Sequence, residues 1–134
     1  MDNRKIRVLI ADDEAHIRAL LGAIISRLGG EVVALAGDGE EAVRLYERHR
    51  PDLSLLDINM PRLNGDLVMA QIMKIDPDAL VIMLTAQDSV DSVRRCIDLG
   101  ARNYILKNNS AEHIFELIKG SWAEYAAAIR RETT

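Results

Sequence analysis

The chain has 134 residues, enough for one domain with a real core, and its ordinary hydrophobic and charged fractions exclude disorder or a fibre. A net charge of −4 and a pI near 5.4 argue against a nucleic-acid surface, which needs a basic stripe. No apolar run nears the roughly 18 residues that span a bilayer, the N-terminus lacks the apolar core of a signal peptide, and Cys96 is the single cysteine, so a cytoplasmic domain without disulfides is expected.

In chain order, Ile6–Ala11 is a β-branched and leucine-rich run that reads as a strand, followed at once by Asp12, Asp13 and Glu14. Ile17, Leu20, Leu21, Ile24 and Leu28 recur at helical spacing, and Gly29-Gly30 supplies a left-handed stop. Glu31–Ala36 is a second strand. Asp38 and Glu41 have the spacing of a capping box and open a helix through Val43 and Tyr46 that Pro51-Asp52 ends.

The run from Leu53 to Gly65 organises everything else. Leu53-Ser-Leu-Leu shows no alternation, as expected of a strand buried on both faces, and it ends on Asp57 with Pro61 and Gly65 marking a loop. A third helix is predicted with Leu67, Ala70 and Met73 or Lys74 on its marked face, closed by Asp76-Pro77-Asp78. Leu80–Leu84 is a fourth apolar strand ending on Thr85-Ala86. Asp88 is expected to cap a helix with Val90, Val93, Cys96 and Ile97 inward and Gly100 as its stop. Arg102–Leu106 is a fifth strand ending on Lys107, and Ser110 opens a last helix through Ile114, Leu117, Ile118, Trp122, Tyr125 and Ile129.

Five strands alternating with five helices imply an α/β doubly wound parallel sheet, because each return to a parallel strand needs a crossover helix. The carboxyl ends of parallel strands lie along one edge, where open sheets hold their ligands. There the sequence collects Asp12, Asp13, Asp57, Thr85 and Lys107. Three carboxylates so close repel one another unless cations intervene, and a hard divalent ion such as Mg²⁺ suits oxygen ligands. Asp12 and Asp13 could alternatively cap the first helix. The inventory suits a phosphoryl group on Asp57: an ionised carboxylate can attack phosphorus, and the transferring group needs a metal and an ammonium to balance its charge.

The chain resembles the receiver domain of two-component response regulators over essentially its whole length. The matching pieces are Val8–Asp13, Pro51–Pro61, Gly65, Leu84-Thr85-Ala86, Gly100-Ala101 and Tyr104–Lys107. Chemotaxis regulators of that family have strand order 2-1-3-4-5, so the resemblance implies this order and a flavodoxin-like fold. It also implies a single receiver domain over 1–134, with its core at about 5–120; the last helix, read from its own apolar stripe, runs past the family's usual end to about Arg131. Asp57 would be the phosphoacceptor, charged by a sensor histidine kinase or phosphotransfer protein. Asp12, Asp13, Asp57 and the backbone carbonyl of Asn59 would hold Mg²⁺, for which Mn²⁺ could substitute. Thr85 would move to the phosphoryl oxygens, Lys107 would pair with them, and Tyr104 would turn inward as the switch.

The output would be a change in the face made by the fourth helix, fifth strand and fifth helix, read by a downstream protein, with neither nucleic acid nor membrane bound directly. Such a domain is not an enzyme, although it assists its own phosphorylation and slow dephosphorylation. Asn59 and Gln87 stand at the two variable positions that tune that lifetime, and both are polar. Trp122, Tyr125 and Ile129 extend the last helix's apolar stripe, either over the sheet edge or toward a weak dimer; otherwise a monomer is expected.

The family usually follows the lysine with a cis proline. Here Asn108-Asn109 stands instead, so a differently shaped loop is expected. Cys96 reads as a core residue, and His16, His49 and His113 as surface residues. Three other readings fit less well. An aspartyl phosphatase would want a second acid where Asn59 stands, a flavin carrier would meet repulsion from Asp12 and Asp13, and a degenerate scaffold is supported only by Asn108.

Overall fold

The computed structural model describes residues 5–86 and 90–133, the last five of these by their backbone alone. The elements alternate strictly: β1 (Arg7–Ala11), α1 (Ala15–Arg27), β2 (Glu31–Ala36), α2 (Gly39–His49), β3 (Leu53–Asp57), α3 (Gly65–Ile75), β4 (Val81–Thr85), α4 (Val90–Asp98), β5 (Asn103–Leu106) and α5 (Ala111–Thr133). All strand pairs are parallel, in the order β2-β1-β3-β4-β5. The flavodoxin-like order expected from the resemblance is the order found.

Period-two side-chain alternation sends each central strand to both faces at once, which is why their sequences read as continuous apolar runs. Leu9, Leu56, Val81 and Met83 face α2, α3 and α4; Val8, Ile10, Leu55, Ile82 and Leu84 face α1 and α5. Burying such side chains contributes about 1.5–3 kcal/mol each.

Helix ends follow the sequence closely. Gly29 and Gly100 take positive φ (82° and 120°) behind α1 and α4. Asp38 caps α2 by accepting the Glu41 N–H at 2.9 Å, while the Glu41 carboxylate reaches back to the Gly37 N–H at 2.8 Å, one residue farther than a standard capping box. Ser110 caps α5 through the His113 N–H at 3.1 Å. Asp12 does not cap α1; its Oδ1 accepts the Glu14 N–H at 2.8 Å in a local turn, and Glu14 is the cap residue. The expected cap Asp88, and Gln87 with it, lie outside the described residues.

Two helix faces depart from expectation. In α3 the buried side chains are Val68, Met69 and Ile72, whereas Leu67 is exposed. The phase is set at Gly65, where a Cβ would overlap the Asp57 carbonyl oxygen and come within 2.7 Å of Ile58 Cα. The helix therefore starts hard against the end of β3, and everything after Gly65 is fixed by that contact. In α4 only Cys96 is buried; Val90 (58% exposed) and Ile97 face outward. An apolar residue on a short helix does not reveal whether a neighbouring layer reaches it.

With one fully buried residue on nine, α4 has little to hold it against local opening. Its backbone amides are expected to exchange with deuterium at least about tenfold faster than those of β3 and β4. Equal protection in a hydrogen-exchange experiment would contradict this.

The last helix is as long as expected. Trp122 packs partly buried against the α1–α5 layer and lies 5.9 Å from Tyr125, whose hydroxyl donates to the Asp78 carbonyl at 3.2 Å. Both aromatics thus pack against the core cluster on the α1 and α5 side of the sheet. Phe115, which lies off the stripe expected from helical spacing, is buried beneath Arg27, whose guanidinium sits 3.8 Å from the ring centroid.

Candidate functional site

The strand ends deliver their side chains to one crevice. Asp12 follows β1, Asp57 closes β3, Thr85 closes β4 and Lys107 follows β5; the first three are buried. Asp13 is exposed at the rim. Carboxylate oxygens of Asp12, Asp13 and Asp57 lie within 4.8 Å of one another. The Lys107 ammonium reaches into the cluster, 2.7 Å from Asp12 Oδ2 and 3.0 Å from Asp57 Oδ2. Glu14, absent from the site expected from sequence, puts a carboxylate oxygen 3.8 Å from the same ammonium. Its place directly after Asp12-Asp13 is the signal that could have found it.

Burial pushes the Asp57 carboxyl up to about 6; the Lys107 hydrogen bond pulls it down, and the neighbouring Asp12 charge adds to the rise. Burial alone would lower the Lys107 ammonium, but its bonds to Asp12 and Asp57 outweigh that and hold it above the ordinary lysine range. Burial thus dominates at Asp57, and the carboxylates around the ammonium dominate at Lys107.

The donor set fits a divalent cation. Asp12 Oδ2 is ion-paired with Lys107 but accepts no directed hydrogen bond, and the Asn59 carbonyl accepts none among the described residues. The Asn59 N–H meanwhile bonds Asp57 Oδ1 at 3.2 Å, which holds this residue beside the cluster. Hard oxygen ligands of this kind suit Mg²⁺.

Asn108 does not misdirect the lysine. The described peptide bonds are all trans, and Lys107 still meets both buried carboxylates. Its backbone N–H bonds the Thr85 carbonyl at 2.8 Å, so the β4–β5 ladder sets both residues together. Tyr104 points outward, 37% exposed, on β5. Cys96 is buried, while His16 and His113 are exposed and His49 half-buried, with no ligand cluster among the described residues that includes a histidine.

Fold and crevice together define a doubly wound α/β domain whose acidic strand ends are prepared for a cation. The chain belongs to the response regulator receiver domain family, whose profile matches residues 8–119. Receiver domains are signalling domains of two-component systems, and they bind Mg²⁺ at their acidic site. The chemotaxis protein CheY of Thermotoga maritima is 39% identical over 112 residues, covering 84% of this chain and 93% of that protein. The transcriptional regulatory protein PdtaR of Mycobacterium tuberculosis is 42% identical over 115 residues, which are 84% of this chain and 55% of PdtaR. Among solved structures, a CheX–CheY–BeF3–Mg²⁺ complex from Borrelia burgdorferi matches with a TM-score of 0.83 at 32% identity, over 87% of this chain and 89% of that one. No described helix is long and apolar enough to cross a membrane.

Proposed function

We propose that the chain is a phosphorylation-activated switch that takes a phosphoryl group on Asp57 from a sensor histidine kinase or phosphotransfer protein. The carrying observation is the buried Asp57 carboxylate, held by Lys107 at 3.0 Å inside a cluster with Asp12 and Asp13. An Asp57 carboxylate oxygen attacks phosphorus as the bond to the donor imidazole nitrogen breaks, and that nitrogen keeps the electron pair and takes a proton. Mg²⁺, held by Asp12, Asp13, Asp57 and the Asn59 carbonyl, would offset charge on the phosphoryl oxygens; Mn²⁺ can serve in its place.

Lys107 is the chain's own contribution to that charge balance. To meet a phosphoryl group its ammonium must loosen its hold on Asp12, and Thr85 supplies a hydroxyl from the adjacent strand end. The new group adds roughly −1.5 to −2 charge at the sheet edge. Movement of Thr85 and Lys107 then draws the outward-facing Tyr104 inward and alters the face formed by α4, β5 and α5. A downstream protein that binds the two states with different affinity reads the change.

The test is incubation with Mg²⁺ and acetyl phosphate, followed by intact mass. Wild type should gain one phosphoryl group, and Asp57→Asn or chelated wild type should gain none. A folded wild type that gains nothing, or a mutant that gains as much, would overturn the proposal.

A further inference from the structure

We propose that Asp38 and Arg62 form a positioning clamp on the loop between β3 and α3, and that this clamp sets the crevice's preference for Mg²⁺. The inference rests on the reading of Asn59 as a main-chain metal ligand, because Asn59 lies in that loop. Neither residue touches the crevice.

The loop has no regular structure between Asp57 and Gly65. Its first residue is tied to β4 and α3: the Ile58 N–H bonds the Leu84 carbonyl at 2.9 Å, and the Gly65 N–H bonds the Ile58 carbonyl at 2.7 Å. Its middle, Pro61 to Leu63, is anchored from the start of α2. Arg62 Nη1 meets Asp38 Oδ2 at 2.6 Å, and the Gly39 N–H bonds the Pro61 carbonyl at 3.2 Å. Gly39 also lies so close to Leu63 that a Cβ would overlap the Leu63 carbonyl oxygen. Within the loop, the Leu63 N–H turns back onto the Pro61 carbonyl at 2.8 Å. The two carboxylate oxygens of Asp38 therefore do different jobs: Oδ1 caps α2 through Glu41, and Oδ2 holds the loop.

Arg62 itself sits at φ 69°, a left-handed conformation that disfavours any side chain. Glycine would satisfy the backbone better. The arginine supplies what glycine cannot, a guanidinium on a largely buried carboxylate. That combination, local strain held by an ion pair, makes the loop's position depend on the pair.

The link to the cation is geometric. The Asn59 N–H is fixed on Asp57, but its carbonyl has no hydrogen bond among the described residues, so the loop's anchors decide where that oxygen points. Mg²⁺ demands near-octahedral geometry at about 2.0–2.1 Å, whereas Ca²⁺ tolerates looser shells at about 2.3–2.6 Å. Loosening the loop should therefore penalise Mg²⁺ more than Ca²⁺, which mere destabilisation of the fold would not do.

Calorimetric titration of the full chain with Mg²⁺ and with Ca²⁺ tests this on wild type, Arg62→Gly, Asp38→Asn and the double variant. Arg62→Gly relieves the backbone and should melt at or above wild type in chelator, yet bind Mg²⁺ about three- to fivefold more weakly, with Ca²⁺ changed less than about twofold. Asp38→Asn keeps the cap acceptor and should give a similar loss. The double variant should lose no more than either single one, because both break one pair. Unchanged Mg²⁺ affinity, parallel losses for both ions, or additive losses would each overturn the clamp. A wild type that takes up no Mg²⁺ overturns the metal reading itself and the clamp with it, an outcome separable from failure of the clamp alone.

Discussion

Replacing Lys107 with alanine will lower the melting temperature of the metal-free protein by roughly 8 °C, a stability loss of about 2–3 kcal/mol. The ammonium is mostly buried and satisfies two buried carboxylates at 2.7 and 3.0 Å. Removing one partner of a buried pair leaves the other charge uncompensated, at a cost of about 3–5 kcal/mol when burial is complete. The smaller figure reflects the solvent that reaches the crevice's open side and the freedom of Asp57 to take up a proton. Mg²⁺ should then restore more stability to Lys107→Ala than to wild type, since it replaces the missing positive charge. At ten times its dissociation constant a ligand adds about 1.4 kcal/mol. Thermal melts with chelator and with Mg²⁺ check both parts. A variant melting within about 2 °C of wild type in chelator would show that Lys107 is not the charge that balances the apo site.

Asp57→Asn should act in the opposite direction. A carboxyl whose folded pKa lies above its unfolded value of about 3.9 favours the folded state only while protonated. That contribution is complete below about pH 4 and is lost as pH rises through about 6, the folded value of Asp57. A rise from about 4 to about 6 corresponds to nearly 3 kcal/mol. The substitution also removes one of the two close acceptors of Lys107, so the net gain at pH 7.5 in chelator should be about 1–2 kcal/mol. Urea denaturation at pH 4, 5.5 and 7.5 measures it. The gain should be near zero at the lowest pH and grow through the series; a constant difference, or a less stable variant at pH 7.5, would refute the buried charge of Asp57 as its cause. A site residue that destabilises its own fold is the expected cost of keeping a reactive carboxylate dry.

The architecture was legible because each level of the sequence agreed with the next. Apolar runs of strand length, caps such as Asp38 and Ser110, and stops such as Gly29 and Gly100 all pointed to the same alternation. The crevice was legible for a related reason: parallel strands place residues distant in sequence on one edge, so Asp57 and Lys107 could be brought together without knowing any distance. What could not be read were matters of phase and of contact across layers. Leu67 looks like core because it is apolar, but Gly65 sets the phase of α3 through a backbone contact that no periodicity encodes. Val90 and Ile97 have the spacing of an inward face, although only Cys96 is buried and Val93 half-buried against the core. Arg62 carries no signal at all, since its importance lies in a left-handed backbone and in a partner 24 residues earlier.

The wedge at Gly65 has a mechanical corollary. It fixes the end of β3 against α3, and the bond from Ile58 N–H to the Leu84 carbonyl braces it toward β4. On the other flank α4 is held by buried Cys96 and half-buried Val93, and the ends of Met73 and Met69 pack against Gly100 just beyond it. One side of β3 is thus tightly braced and the other lightly packed. Under the proposed phosphorylation of Asp57, displacement is therefore expected on the α4 side, where fewer buried contacts oppose it.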